Sequence, residues 1–366
     1  MIKAMDCFGN PSSLHAHGAK AARMLKDART AIGEALGERF LKDGQIVFTS
    51  CGTEATALAL FGTAHAKERR TAKTILTTDS EHPSVDRALA VLEGEGFTVV
   101  RVSTKGGALD MDAVRAHCTP DLFMVSMMLV NNETGAIYPV REVFSMARAA
   151  NPQVVLHTDA VQGFLKVPFT PRALGADLVT VSAHKIGGPK GVGALFISER
   201  MKKERRIAAF LVGGGQEFGL RSGTENMIGI AGFAAAAKCG MTDAREAQAR
   251  MRALSDRLIA GLADTEITVN RPVNAAPHIV SITLPGIKSE TMLHYLSGQG
   301  ISVSAGSACS AHKAGPSAVL LAFGLPVARA DSTLRISLSP DTTEGDIDAL
   351  LAALATGLNM LVRIRH

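Results

Sequence analysis

The sequence contains no tryptophan and only two tyrosines, and aromatic residues make up 4% of its 366 positions. Stacking surfaces of the kind that bind single-stranded nucleic acid are therefore scarce. The net charge of +5 is spread along the chain, and the basic clusters at 67–70 and 202–206 accompany no nucleic-acid-binding motif. We therefore expect no direct binding of nucleic acid.

Paired cysteines are also missing. The five cysteines are widely spaced, their number is odd and no Cys-x-x-Cys motif occurs, which argues against a disulfide scaffold and against a closed zinc site. No apolar signal region stands at the N-terminus, and no run approaches the ~20 apolar residues of a transmembrane helix. We expect a cytoplasmic protein without a metal and without a membrane contact.

Short apolar runs alternate with helical stretches over the first two thirds of the chain. Several of these runs are apolar throughout, as in strands that are buried on both faces. The alternation predicts an α/β fold with an open, mainly parallel sheet. The seven predicted strands are Ile46–Thr49, Thr74–Thr77, Thr98–Val102, Leu122–Leu129, Val154–His157, Leu178–Ser182 and Ala194–Ile197.

The pattern changes after two predicted helices between Glu225 and Leu262. The remaining chain predicts the strands His278–Leu284 and Leu334–Leu338 and the helices Lys288–Leu296 and Thr343–Leu361. At roughly 100–200 residues per domain, the length suits two domains. We predict a large domain at 10–245 and a smaller α+β domain at 246–366, the latter joined by residues 1–12.

Chemically useful side chains follow the predicted strands. Ligands of open α/β sheets bind beyond the carboxyl ends of strands, and each candidate taken alone has an ordinary structural explanation. Together they supply an anion-binding helix start, an imidazole, an amide, a carboxylate and an amine. These candidates are Gly52 and Thr53, His82, Asn132, Asp159, and Lys185.

One kind of cofactor uses all of these groups, namely a phosphorylated aldehyde with a basic ring nitrogen. A buried acid such as Asp159 requires a cationic partner, which the ring nitrogen supplies, and Lys185 supplies the amine for the aldehyde. A dinucleotide or P-loop site at 187–191 is excluded because a strand, not a helix, follows this glycine-rich segment. The cofactor predicted is pyridoxal 5′-phosphate (PLP).

At these residues the chain resembles the NifS/IscS-like cysteine desulfurases of the class V PLP-dependent aminotransferase family. The resemblance runs from Gly9 almost to the C-terminus, through the motifs GNPSS, TSCGTEA, EHPSV, NNETG, HTDAVQ, SAHKIGGPKG, GGGQE, RSGTEN, SAGSAC and STLRISL. It implies the PLP-dependent transferase fold type I. It also implies conversion of L-cysteine to L-alanine, with a persulfide formed on Cys309 for transfer to a sulfur acceptor in iron–sulfur cluster assembly or tRNA thiolation.

The resemblance also implies a role for each matching residue. The implied catalytic residues are Lys185, Cys309 and His82. Of these, Lys185 is expected to bind the cofactor aldehyde and His82 to stack on the cofactor ring. Thr224 is expected to reach a phosphate in the neighbouring subunit, which implies a homodimer. The remaining expected contacts are Asp159 to the ring nitrogen, Gln162 to the ring hydroxyl, Gly52, Thr53, Ser182 and His184 to the phosphate, and Asn10, Asn132 and Arg335 to the substrate, with Asn132 also beside the cofactor.

The small residues Ala305 to Ala308 predict a mobile loop for Cys309, and Pro316 is expected to begin the helix that follows it. The length of this loop matches the long-loop group of the family. Two departures from the family pattern stand out. Phe218 replaces a residue that is usually basic, and Cys51 occupies a position that is more often glycine or alanine.

Three alternatives remain open from the sequence. Another class V PLP enzyme, an aminotransferase or a selenocysteine lyase, would keep Lys185 and Asp159 without requiring Cys309. The second alternative is an inactive PLP-binding assembly subunit. Its basis is that family members usually carry further residues before the GNPSS motif, which this sequence does not show. A zinc or thiol-redox protein is the least supported: His312 lies three residues from Cys309, and His15 and His17 are close together, but no closed ligand set appears.

Overall fold

The computed structural model describes residues 1–66, 72–306 and 315–363. Contacts divide the chain into two units, each assembled from three stretches of sequence. The first unit consists of Met1–Val102, Met111–Leu129 and Pro139–Asp243, and the second of Ser103–Asp110, Val130–Tyr138 and the chain from Ala244 onward. The N-terminal residues thus lie in the first unit and do not join the C-terminal part as predicted, because the first helix packs against a helix at 227–242.

The first unit contains a seven-stranded sheet with helices between its strands, as the sequence predicted. The strands are β1 Ile46–Thr49, β2 Thr74–Thr78, β3 Thr98–Val102, β4 Leu122–Met128, β5 Val155–Asp159, β6 Leu178–Ser182 and β7 Gly193–Ile197. The helices are α1 Ile2–Met5, α2 Ala16–Ala35, α3 Gly52–Ala64, α4 Pro83–Gly94, α5 Met111–His117, α6 Val140–Ala150, α7 Pro171–Leu174, α8 Glu199–Lys203 and α9 Met227–Thr242.

The strand order β1-β7-β6-β5-β4-β2-β3 makes this sheet mainly parallel. Strands β2 to β6 run parallel to one another, whereas β7 is antiparallel to both β1 and β6. The central strands β4, β5 and β6 are buried at every residue, which explains their uninterrupted apolar sequences. Since β2, β4, β5 and β6 are neighbours and parallel, their carboxyl ends meet at one edge of the sheet.

A buried ion pair ties α2 to the segment after α8. The Arg29 guanidinium binds both carboxylate oxygens of Glu217, at 2.6 and 2.7 Å, and it lies between the rings of Phe48 and Phe218. Glu217 and Phe218 have positive φ angles, 48° and 61°, which cost residues other than glycine on the order of 1–3 kcal/mol each. The ion pair therefore holds a strained backbone in place, and Phe218 takes part as a stacking partner of Arg29.

The second unit is a smaller α+β structure around its own apolar core. Its four-stranded antiparallel sheet has the order β10-β11-β9-β8. The strands are β8 Thr268–Val269, β9 Ile279–Thr283, β10 Ser304–Ala305 and β11 Thr333–Ser337. The helices are α10 Ala244–Gly261, α11 Ser289–Gly298, α12 Ala318–Ala322, α13 Val327–Asp331 and α14 Glu344–Met360.

The start of α12 differs from the prediction that Pro316 begins this helix. The helix begins at Ala318, because the Ser317 hydroxyl accepts a hydrogen bond from the Leu320 N–H and so caps it. Within the described ranges, no helix combines the length and the apolar character required to span a membrane.

Candidate active site

Asp159, the last residue of β5, provides a buried carboxylate at the carboxyl edge of the large sheet. Its side chain is 8% exposed, and its Oδ1 accepts a hydrogen bond of 2.9 Å from the Val161 N–H. Burial raises the pKa of Asp159, whereas this hydrogen bond and the neighbouring basic groups of His82 and Lys185 lower it. The Asp159 carboxylate therefore faces two basic side chains, in surroundings that suit a cationic ring nitrogen.

His82 follows β2 and caps the N-terminus of α4. Its Nδ1 accepts a hydrogen bond of 3.1 Å from the Ser84 N–H, and Pro83 occupies the first helical position. Burial and the nearby Lys185 charge lower the pKa of His82, while Asp159 raises it. Because Nδ1 is the acceptor, the neutral ring carries its proton on Nε2. The helix cap thus fixes the orientation of the ring beside Asp159.

Lys185 follows β6 in the short 3₁₀ turn Ala183–Ile186. Gly187 ends this turn with a φ of 76°, a left-handed conformation that glycine adopts without steric cost. The charge of Lys185 acts on both His82 and Asp159. The structure therefore brings together the amine, the carboxylate and the imidazole that the sequence predicted.

The start of α3 forms the anion-binding part of the site. A β-carbon at Gly52 would lie 3.1 Å from Val161 Cγ2 and 3.4 Å from Ser182 Cβ, so glycine lets the helix start approach the end of β6. The Ser182 hydroxyl hydrogen-bonds to Nδ1 of His184 at 2.9 Å, and Thr53 is exposed in the first turn of α3. Backbone N–H groups and the helix dipole favour a phosphate at such a position.

The electrostatic surroundings of His184 also favour an anion. Burial is the largest cause of its lowered pKa, and the charges of Lys185, Lys190 and Lys166 lower it further. The two ends of the site therefore suit the two ends of PLP, a cationic ring nitrogen and a phosphate. The residues present fit this cofactor.

A second cluster lies in the other unit, around Arg335 of β11. Its Nη1 donates to the Asn132 carbonyl oxygen at 2.9 Å, and its Nη2 donates to the Ser304 hydroxyl at 3.1 Å. Asn132 is 7% exposed, and its buried Oδ1 has no hydrogen-bond partner within the described part of the chain. A guanidinium and a buried amide are suitable groups to bind a carboxylate.

The other predicted site residues occupy more peripheral positions. Gln162 is half-buried in the turn after β5, and Thr224 is exposed. Asn10 is exposed as well, and its Oδ1 accepts a hydrogen bond of 2.9 Å from the Ser12 N–H. Cys309 lies outside the described residues, as does His312.

Glu81 is a buried acid of this site to which the sequence assigned no role. Its Oε1 accepts hydrogen bonds from the Met128 N–H at 2.9 Å and from the Thr78 hydroxyl at 2.8 Å, so it joins the ends of β2 and β4. Burial, with smaller effects of Asp159 and Asp86, raises its pKa to about 8. The signal was available, since Glu81 follows an apolar strand as Asp159 does.

Replacing Glu81 with glutamine is expected to flatten the pH dependence of stability. Between the ordinary pKa of about 4.5 and the folded-state pKa of about 8, the folded protein holds a proton that the unfolded chain has released. The wild-type free energy of unfolding therefore falls as the pH rises through this window, by up to about 1.4 kcal/mol per pH unit. Glutamine stays neutral at every pH and keeps the acceptor for Met128. The contribution of residue 81 to the pH dependence of the free energy of unfolding therefore disappears.

Urea unfolding at pH 5.5, 6.5 and 7.5 measures the effect. The control is Glu142→Gln, an exposed position on α6, which is expected to keep the wild-type slope. Equal slopes for wild type and Glu81→Gln would show that Glu81 is ionised throughout this range.

Known proteins resemble this chain over nearly its whole length. A family model described as aminotransferase class V matches residues 2–350. Cysteine desulfurase NifS of Azotobacter vinelandii is 37% identical over 348 residues, which cover 94% of this chain and 84% of that protein. Cysteine desulfurase IscS 1 of Archaeoglobus fulgidus is 36% identical over 350 residues, covering 95% and 89%. A solved NifS-like protein shares the fold with a TM-score of 0.89 and 34% identity, over 97% of this chain and 93% of the other.

Proposed function

This chain is a PLP-dependent cysteine desulfurase of the aminotransferase class V family, and we propose that Cys309 is the thiol that accepts the sulfur. The bound cofactor supplies an electron sink for the bonds around the substrate α-carbon. The buried Asp159 carboxylate, which interacts electrostatically with both His82 and Lys185, is the observation that carries the site assignment. In this proposal Asp159 supplies the negative charge for the ring nitrogen, and Lys185 Nζ binds the aldehyde.

The other proposed cofactor contacts are divided between the ring and the phosphate of PLP. His82 presents its ring face, held by the cap of α4. Gly52 and Thr53 offer the N–H groups at the start of α3, while Ser182 and His184 supply a hydroxyl and an imidazole to the phosphate. Gln162, in the turn after Asp159, is proposed to bind the ring hydroxyl.

For the substrate, we propose that Arg335 and Asn132 orient the carboxylate of L-cysteine. The half-buried Arg335 guanidinium, which donates to the Asn132 carbonyl oxygen, and the amide N–H₂ group of the buried Asn132 side chain support this assignment. Asn10 is proposed as a further substrate contact on the family resemblance alone.

Sulfur transfer then requires a thiolate at Cys309. Its sulfur attacks the sulfur atom of the substrate, a sulfur–sulfur bond forms and the substrate carbon–sulfur bond breaks. The carbon takes up a proton, which gives L-alanine and a persulfide on Cys309. An external acceptor then removes the outer sulfur. We propose an iron–sulfur scaffold protein as this acceptor, with tRNA thiolation as the other destination. The free thiols of Cys7, Cys51, Cys118 and Cys239 support a reducing cytoplasm.

We further propose that the enzyme is a homodimer in which Thr224 reaches the phosphate site of the partner subunit. Thr224 belongs to a segment of the first unit that exposes the apolar side chains Phe210, Leu211 and Val212, of which Val212 is 83% exposed. A second copy that covers this segment would bury these side chains and bring Thr224 to a neighbouring site.

Replacing Cys309 with serine tests the sulfur-transfer proposal. We expect wild type and the control Cys239→Ser, an exposed cysteine of α9, to release L-alanine from L-cysteine with a thiol reductant present. The same two proteins should gain 32 Da (about one sulfur atom) on Cys309 in peptide mass spectra without reductant. Cys309→Ser should bind PLP and release no alanine.

Two outcomes would overturn the proposal. Alanine release by Cys309→Ser would indicate a lyase that does not use this thiol. Wild-type protein that binds PLP and releases no alanine would instead indicate an assembly subunit without turnover.

A further inference from the structure

Glu133 is a buried acid of the second unit that none of the roles above uses. It directly follows Asn132 and is 2% exposed. The Ser317 hydroxyl donates a hydrogen bond of 2.6 Å to its Oε2, although the two residues are 184 positions apart in the sequence. A buried carboxylate with so short a bond to a distant segment fixes that segment firmly.

The same carboxylate also adjoins Gly306. A β-carbon built on Gly306 would lie 3.8 Å from Glu133 Oε2 and 3.6 Å from Ser317 Cβ. Gly306 has a φ of 55°, a left-handed conformation that disfavours other residues. Gly306 and Ser317 therefore meet at Glu133, one on each side of the sequence that contains Cys309.

The segments that contain Gly306 and Ser317 are each joined to secondary structure of the second unit. Before Gly306, the strand β10 pairs with β11, and Arg335 donates to Ser304. Beyond it, Ser317 caps α12. Burial raises the pKa of Glu133, whereas the hydrogen bond from Ser317 and the charge of Arg335 lower it. Glu133 thus holds the cap of α12 and lies within the electrostatic influence of the arginine proposed to bind the substrate.

We propose that Glu133 is a positioning residue for sulfur transfer, which holds Gly306 and Ser317 together and so fixes where the chain leaves and rejoins the framework around Cys309. This inference rests on the proposed role of Cys309. The physical basis is that a thiol on a segment with both ends fixed searches a smaller volume than a thiol on a segment whose ends separate.

The test uses two substitutions of nearly equal shape at Ser317. Asparagine and aspartate both cap helices well, so each preserves the start of α12. The asparagine amide donates a hydrogen bond to Glu133, whereas an aspartate carboxylate repels it. We expect Ser317→Asn to retain wild-type kinetics and Ser317→Asp to lower kcat for alanine formation by about tenfold or more, with KM for L-cysteine and the PLP absorbance unchanged.

A second measurement does not depend on turnover. The holoenzyme is treated with iodoacetamide, and the alkylation rates of Cys309 and Cys239 are followed by mass spectrometry. In Ser317→Asp the Cys309 rate is expected to change several-fold relative to Ser317→Asn, while the rate at Cys239 stays constant. Equal Cys309 rates and equal kcat values for the two variants would overturn the inference. So would equal losses of kcat, since they would indicate packing alone.

The two proposals fail in different ways. If Cys309→Ser still released alanine, the role of this thiol would be wrong. A difference in Cys309 alkylation between Ser317→Asn and Ser317→Asp would nevertheless show that the contact with Glu133 controls the segment.

Discussion

Replacing Lys185 with alanine is expected to lower alanine production from L-cysteine at least about a thousandfold, the size of effect seen when a residue that acts covalently is removed. The substitution removes the amine proposed to bind the cofactor aldehyde and, with it, a positive charge that acts on Asp159. It should also abolish the long-wavelength absorbance that PLP acquires when a lysine binds its aldehyde.

Lys185→Arg separates these two contributions. Arginine keeps the positive charge beside Asp159 and His82, but its guanidinium does not capture an aldehyde at neutral pH. We therefore expect the arginine variant to be as inactive as the alanine variant, while retaining more PLP after gel filtration. The control is Lys203→Ala, an exposed lysine that pairs with Glu199 at the protein surface, and it should have wild-type turnover. Turnover by Lys185→Arg above one tenth of the wild-type rate would contradict a covalent role.

Replacing Arg29 with alanine is expected to cause the largest loss of stability, about 3–5 kcal/mol, because it leaves the buried Glu217 carboxylate without its cation. The Glu217 side chain is 1% exposed, and its pKa is raised by burial and lowered by Arg29. Arg29 also donates to the Ile46 carbonyl at 2.7 Å, so β1 loses a partner as well. Urea unfolding at pH 7 measures the difference.

The matched control is Arg257→Ala, which breaks a surface pair with Asp348. Exposed pairs contribute little, because water screens them and their side chains lose conformational freedom. A loss of stability for Arg29→Ala no greater than that for Arg257→Ala would show that the buried pair does not hold this region.

Residue pattern alone predicted much of the fold. The bounds of β1, β3 and β6 match the prediction to the residue. The segments 103–110 and 130–138 were assigned to the large domain, whereas their contacts lie within the second unit. Those contacts, such as the hydrogen bond from Ile137 N–H to Asn274 O, join residues far apart in sequence, and no local pattern reports them.

The candidate site shows the same division between local and distant information. His82, Asp159 and Lys185 were predicted from their positions after predicted strands, because a parallel topology brings the carboxyl ends of strands together. The contacts of Glu81 and Glu133 were not predictable, since a sequence does not show which distant residues surround a carboxylate. Only the neighbours that surround each carboxylate, Met128 for Glu81 and Ser317 for Glu133, distinguish them.

The second unit is assembled from three stretches of chain that are synthesised at different times. Its early segments must therefore wait for the later ones before they can fold. Glu133 leaves the ribosome long before its partner Ser317, which follows it by 184 residues, or roughly 9 to 37 seconds of translation. During that interval the strands β5, β6 and β7 of the first unit emerge, while the segments 103–110 and 130–138 still lack their partners. The residues proposed to orient the substrate and to position Cys309 are thus among the last to reach their final positions.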